Sequence, residues 1–448
     1  MIVPRTRLLV LTALALIPLS LLMAMRPEAT YTFAAAGAVF VALAALDAVL
    51  ARHLLDGVRA RLPETVRLSV DRPADVDITI INDQLLNRPL RIGLSLPEEI
   101  RAESETITTR ITSQTPNAHA PFAVLGRKRG RYVIENVYME TASPLGLWAV
   151  RAVAPATAEI RVYPNLLAER RHLAALFLNR GNVGIHAQRQ IGKGRDFEKL
   201  REYVPGDNYD DIHWKATAKR GHPVTKIFQI ERTQEVYLAI DTSRLSARQV
   251  WNSETASVGD ITQLERFVTS ALILGLVAEK QGDLFGLLTF DSQVRHFVRA
   301  RNGKTHYGLC RDALYTVQPS MVSPDYSELF TFLRLRLRRR ALVIVLTCLD
   351  DPVLAESFIQ DARIASGHHL LLVNMIKDPA IAPVFHAPDV SETDHLYQRL
   401  GAHLQWQKLR ETEQTLRHRG ISMGILDNET LCTQLVSQYI SMKQRQAI

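Results

Sequence analysis

The run Val236-Tyr237-Leu238-Ala239-Ile240, followed by Asp241-Thr242-Ser243, decides the fold. An unbroken apolar run of strand length is the pattern of a strand buried on both faces, as in a parallel sheet. Further runs of the same kind follow at Leu284–Phe290, Leu342–Leu346, Leu370–Met375 and Ile421–Leu426. Between them lie helical patterns: Leu264–Lys280, His306–Val317, Tyr326–Leu337, Ala355–Ser366, Glu392–Arg419 and Leu431–Lys443. Strands alternating with helices predict an α/β, doubly wound parallel sheet over residues 233–448. Ligands of such sheets sit at the carboxyl ends of the strands, where Asp241 and Ser243 fall.

Immediately upstream, Gly194–Arg220 (GRDFEKLREYVPGDNYDDIHWKATAKR) mixes aromatic rings with charges and matches no simple helix or strand pattern. Its Pro205-Gly206-Asp207 is a turn, in which Asp207 makes local hydrogen bonds. Two readings stay open. His213, Asp207 and Asp211 form an acid–base group, provided one comes within hydrogen-bond reach of a target. Alternatively the stretch is an interdomain clasp. In that case Trp214 and Tyr203 bury their rings while Arg201, Lys215 and the acids pair at the edge.

Farther upstream the period changes to two. Val66–Val70, Val76–Ile80 and Leu90–Leu94 alternate apolar and polar residues, and Tyr132–Met139 and Ile160–Tyr163 extend the set. Half-buried strands with polar turns and no intervening helix predict a small antiparallel β-sandwich over residues 62–165. Residues 166–232 then form a linker that carries the aromatic and charged stretch.

The first 61 residues read as a transmembrane hairpin, with spans at about 8–25 and 32–51. Asp47 is the lone charge in the second span, placed where its carboxylate reaches the interface. Arg5 and Arg7 precede the hairpin, and Arg52, Arg59 and Arg61 follow it. The positive-inside rule therefore puts both ends, and the bulk of the chain, in the cytoplasm. Composition agrees with packed structure: 47% of residues are hydrophobic, 22% are charged, and the net charge is +8. Cys310, Cys348 and Cys432 are widely spaced, which excludes a disulfide framework and a zinc cluster and suits a reducing compartment. Between Gly181 and Arg232 seven acids dilute ten lysines and arginines, so a nucleic-acid stripe is disfavoured. Gly303-Lys304-Thr305 lacks the upstream glycine of a phosphate loop, because Val298 occupies that position. Arg334, Arg336 and Arg338–Arg340 form the one dense basic run. They complement a helix dipole or touch an anionic membrane leaflet.

The order hairpin, β domain and α/β domain, with Phe197, Leu200-Arg201-Glu202-Tyr203, Pro205-Gly206-Asp207, Ile212, Trp214-Lys215-Ala216 and Ala218, resembles the bacterial family called domain of unknown function 58. The Ser143-Pro144-Leu145-Gly146-Leu147 turn and Tyr163-Pro164 fit the same resemblance. His213 stands where an acid is common, and Asp210 where an arginine is common. The resemblance implies a C-terminal domain similar to a von Willebrand factor A domain, and a MoxR-type AAA ATPase as partner. It also implies a Mg²⁺ site of the Asp-x-Ser-x-Ser kind. Asp241 and Ser243 match that pattern, but Leu245 stands where the second serine belongs and Cys348 replaces the late aspartate. Asp350 and Asp351 follow closely. A thiol is a poor Mg²⁺ ligand, so a vestigial site with Asp241 capping its own loop is the alternative. The expected function is a non-enzymatic, membrane-anchored adaptor at the bacterial inner membrane that binds a protein partner. A hydrolase using His213, Asp207 and Asp211 is the other reading.

Overall fold

The computed structural model describes the chain except residues 26–29, 84–85, 113–116, 168, 172, 175–190, 205–208, 230–233, 253–256, 382, 384–392 and 445–448. It is a mixed α/β structure that divides into two compact units, Met1–Asn165 and Leu166–Ile448.

The first unit opens with the strand Ile2–Pro4 and continues through two apolar helices, Thr6–Met25 and Thr30–Ala51, each long and apolar enough to cross a membrane. Strands then build two sheets. One orders Ile2–Pro4, Trp148–Tyr163, Gly130–Ala142, Arg88–Leu94 and Ile107–Ile111, with Thr65–Ser69 also paired to Trp148–Tyr163. The other orders Val58–Arg61, Pro73–Asn82, Asn117–Gly126 and Ile100–Ala102. The alternating residues anticipated from the sequence face a shared core: Val76, Ile78 and Ile80 meet Phe122, Ile134, Ile160 and Val162. Among the described residues pairing is antiparallel, apart from Thr65–Ser69 alongside Trp148–Tyr163 and an isolated parallel bridge between Val70 and Gly126.

Asp47 differs from its expected place at an interface. It is 1% exposed. Its carboxylate accepts the Ser143 hydroxyl at 2.6 Å and the Leu145 N–H at 3.0 Å. The same turn receives the Trp148 N–H on Ser143 Oγ, while the Trp148 indole donates to the Ala44 carbonyl at 2.8 Å. The family-like turn Ser143–Leu147 is therefore the latch that fixes the second apolar helix to the sheet. Ahead of the first helix, Arg5 N–H donates to the Leu147 carbonyl. A buried carboxylate with two donors is stable only while both donors stay in place.

In the second unit, six strands lie in the order Val294–Arg301, Leu284–Phe290, Glu235–Asp241, Leu342–Leu346, Leu370–Ile376 and Ser422–Leu426. All pair in parallel except Val294–Arg301, which runs antiparallel at the edge. Alternate residues of Glu235–Asp241 feed separate cores. Val236, Leu238 and Ile240 pack with Leu264, Phe267, Leu435 and Tyr439, whereas Tyr237 and Ala239 pack with Tyr326, Phe330 and Phe358. Helices thus cover both faces. Their starts follow side-chain caps written in the sequence: Thr262 accepts from Glu265 N, Asp325 from Glu328 N, and Asp351 from Val353 N just before Pro352.

Gly286 has no room for a side chain. A Cβ there would lie 2.5 Å from Tyr237 Cε1 and 2.8 Å from the Ala300 nitrogen. Gly286→Ala should therefore misfold or lose several kcal/mol, in the range of about 1–3 kcal/mol or more for overpacking, as read by thermal melting. Asp47→Ala leaves the Ser143 hydroxyl and the Leu145 N–H without their acceptor. It should lower the melting temperature of the detergent-solubilised chain, at a cost of about 1–3 kcal/mol per orphaned group. Leu46→Ala, at a residue 55% exposed, should not.

Candidate functional site

Two sets of residues bear on function: the carboxyl ends of the parallel strands, and the stretch around Trp214.

At the strand ends, Asp241 is completely buried. Its Oδ1 accepts the Ser243 N–H at 2.8 Å and its Oδ2 accepts the Thr347 hydroxyl at 2.6 Å. The Tyr326 hydroxyl lies 3.0 Å from Thr347 Oγ1 and donates to it, because the threonine proton already points to Asp241. Burial pushes the Asp241 carboxyl above its usual range, and the Ser243 and Thr347 hydrogen bonds offset that only in part. Ser243 caps the next turn by accepting from Leu245 N at 3.3 Å, and the Ser246 hydroxyl donates to the Ser243 carbonyl at 2.8 Å. Asp241 and Ser243 therefore lock their own loop.

Asp291 ends the neighbouring strand. Burial pushes its carboxyl up, but the Arg295 guanidinium, the Ser320 hydroxyl and the Gln293 N–H more than compensate and hold it below the ordinary carboxylate value. Arg295 Nε sits 2.8 Å from Asp291 Oδ2. On the other side, Arg248 pairs with Asp350, and the Cys348 thiol donates to Asp350 at 3.1 Å. Burial holds that thiol well above its usual pKa, so it stays protonated. A cleft of about 150 Å³ opens here, lined in part by Arg248, Trp251, Cys348, Lys377 and Asp378.

This shell does not fit Mg²⁺, which requires near-octahedral oxygen ligands. Leu245 is 1% exposed and packs in one apolar cluster with Cys348, Met375 and Leu409. The two departures from the metal pattern thus meet each other as a hydrophobic contact. Among the described residues no three His, Cys, Asp or Glu side chains gather as a metal-binding group. The charges that a cation would balance are balanced by Arg295 and Arg248.

Around Trp214 the structure replaces a patternless stretch with a hairpin and a short helix. Ile191–Glu202 pairs antiparallel with Val224–Gln229. Trp214–Arg220 is helical and is closed by Gly221 in the left-handed region at φ 74°. His213 is its N-cap: Nδ1 accepts from Ala216 N at 3.0 Å, and the His213 N–H donates to the Val224 carbonyl at 2.8 Å. The imidazole therefore does structural work in this position. Gly206 and Asp207 lie outside the described residues, as does the Asp211 side chain, so the acid–base group is represented here by His213. The expected burial of Trp214 is corrected: the indole is 68% exposed. It is the first residue of a two-turn helix that buries none of its residues. Tyr203 is half-buried, with its ring 6.2 Å from that of Tyr209, which is itself 73% exposed. Arg201 and Lys215 are exposed beside them.

Sequence reasoning passed over Arg248, Asp291, Arg295, Tyr326 and Thr347. Asp291 was within reach, since it follows an apolar strand as closely as Asp241 does. Arg248 was not, because its carboxylate, Asp350, comes from another loop.

These features define a mixed α/β chain carrying two apolar membrane-length helices. Residues 199–388 match the model of the family described as protein of unknown function DUF58. An uncharacterized protein of Mycobacterium tuberculosis is 23% identical over 203 residues, which is 45% of this chain and 60% of that protein. The uncharacterized protein YeaD of Bacillus subtilis is 28% identical over 101 residues, 22% of this chain and 24% of that protein. The chain thus spans about 60% of the length of the mycobacterial relative. Among solved structures, the conserved hypothetical protein BatB from Bacteroides thetaiotaomicron aligns with 47% of this chain and 99% of its own, at TM-score 0.29 and 18% identity.

Because the fold holds Asp241 above its ordinary pKa, it favours the protonated carboxyl. That contribution to stability is complete below the unfolded carboxyl pKa and is lost as pH rises through the raised value. Asp241→Asn removes the charge and, because an amide has a single acceptor oxygen, one of the two hydrogen bonds as well, a loss that does not vary with pH. The variant's melting temperature relative to the natural chain should rise as pH climbs from the ordinary carboxyl range through the raised value. A gap that shrinks with rising pH would show a cation stabilising the carboxylate.

Proposed function

We propose that the chain is a membrane-anchored adaptor at the bacterial inner membrane. Its hairpin spans the bilayer twice, and the bulk of the chain lies on the cytoplasmic side. A doubly wound, von Willebrand A-like sheet forms its C-terminal part. The strand order, in chain sequence 3-2-1-4-5-6 with the third strand antiparallel, supports that reading, as does an aspartate at the carboxyl end of the first strand.

The observation that carries the adaptor reading is the exposure of Trp214 and Tyr209. Tryptophan, tyrosine and arginine are the residue types that dominate protein-binding hot spots, and here Trp214, Tyr209 and Arg201 are all exposed. The groups that chemistry would need are engaged elsewhere: His213 caps a helix, and Asp241 is sealed beneath Thr347. The partner in this proposal is a MoxR-type AAA ATPase or its client. The hydrolase reading gains no observation in its favour.

The test is co-purification from membranes in mild detergent, followed by mass spectrometry. The natural chain should retain a stoichiometric ATPase. Trp214→Ala with Tyr209→Ala should lose it at unchanged melting temperature, because hot-spot truncations cost about 2 kcal/mol or more each. Equal recovery by the variant, or no partner at all, would refute the proposal.

A further inference from the structure

The amino ends of the parallel strands carry a second feature, unrelated to Asp241. A cleft of about 460 Å³ opens beside the first residues of Glu235–Asp241 and Leu284–Phe290. Five arginines line it, Arg299, Arg301, Arg336, Arg338 and Arg339, against the single carboxylate of Glu235. All five are exposed, and none has an ion-pair partner among the described residues. They come from two elements. Arg299 and Arg301 flank the buried Ala300 on the edge strand Val294–Arg301, and both border the cleft. Arg336, Arg338 and Arg339 lie at and just beyond the end of the helix Tyr326–Arg336.

The framework under these charges is built rather than loose. Leu337 is buried between Arg336 and Arg338, and its N–H donates to the Leu333 carbonyl at 2.9 Å. Arg336 rests over the Phe332 ring at 5.6 Å. Tyr237 lines the cleft, and its hydroxyl accepts the Ala300 N–H at 3.2 Å. The helix dipole accounts for cations on Tyr326–Arg336, but not for two more converging from a separate strand. Like charges held together repel unless a counter-anion joins them. Guanidinium forks match phosphate oxygens in pairs. The volume falls within the roughly 300–1,000 Å³ of small-ligand sites.

We propose that this cleft is a binding site for a phosphate-bearing anion, supplied either by a soluble phosphate compound or by a lipid headgroup. The full chain in nonionic detergent is titrated calorimetrically with pyrophosphate, and separately with micelles doped with phosphatidylglycerol or with phosphatidylcholine. Saturable binding of pyrophosphate is expected if the source is soluble. Binding of phosphatidylglycerol micelles but not of pyrophosphate identifies a headgroup. In either case R299Q/R338Q should weaken binding about tenfold per arginine removed. R299K/R338K, which keeps the charge without the fork, should fall between. R410Q/R417Q, on the exposed helix Thr393–His418, should change nothing. No saturable binding of either probe, or equal losses in R299Q/R338Q and R410Q/R417Q, would overturn the proposal.

Discussion

The second unit depends on one constraint: Glu235–Asp241 is hydrogen-bonded on both edges and buried on both faces. Both of its neighbours run parallel to it. Parallel partners need crossover connections, and both faces of the sheet need helices over them. The same constraint brings the carboxyl ends of the parallel strands to one edge. Asp241, Asp291 and Thr347, far apart in the chain, meet there for that reason.

Within that edge, electrostatics have been settled internally. Asp241 is satisfied by a backbone N–H and a hydroxyl, and Asp291 and Asp350 each hold an arginine. A metal-type site would keep its carboxylates turned toward an ion and its coordination incomplete. Here the apolar contact of Leu245 with the Cys348 cluster closes the same space. The exposed rings and arginines lie elsewhere, around Trp214 and beside the cleft lined by Arg299 and Arg338.

Legibility in the sequence followed burial. The runs Leu342–Leu346 and Leu370–Ile376 are apolar because both their faces are covered, so they stood out. Val294–Arg301 was strand-like only around Val298, because an edge strand with half its residues in water carries arginines among its apolar residues. Ile191–Glu202 was hidden in the same way, as a highly charged strand held by its ladder to Val224–Gln229. Ile2–Pro4 is too short for any periodic signal. Asp241 and Ser243 were legible as a strand-end pair, but the Thr347 hydroxyl that Asp241 accepts was not, since it reaches the carboxylate only across the fold.

By itself, the sequence determined the two apolar helices, the alternating strands of the first unit and the strand–helix alternation of the second. Each is a local pattern imposed by which side of the backbone meets water. Tertiary structure alone decided what the polar residues do. It turned Asp47 inward to hold a turn nearly a hundred positions away, made His213 a helix cap, sealed Asp241 under Thr347 and left Trp214 in solvent. The physical reason is that a polar side chain's role is set by the donor, acceptor or charge that faces it, and those partners arrive from distant parts of the chain.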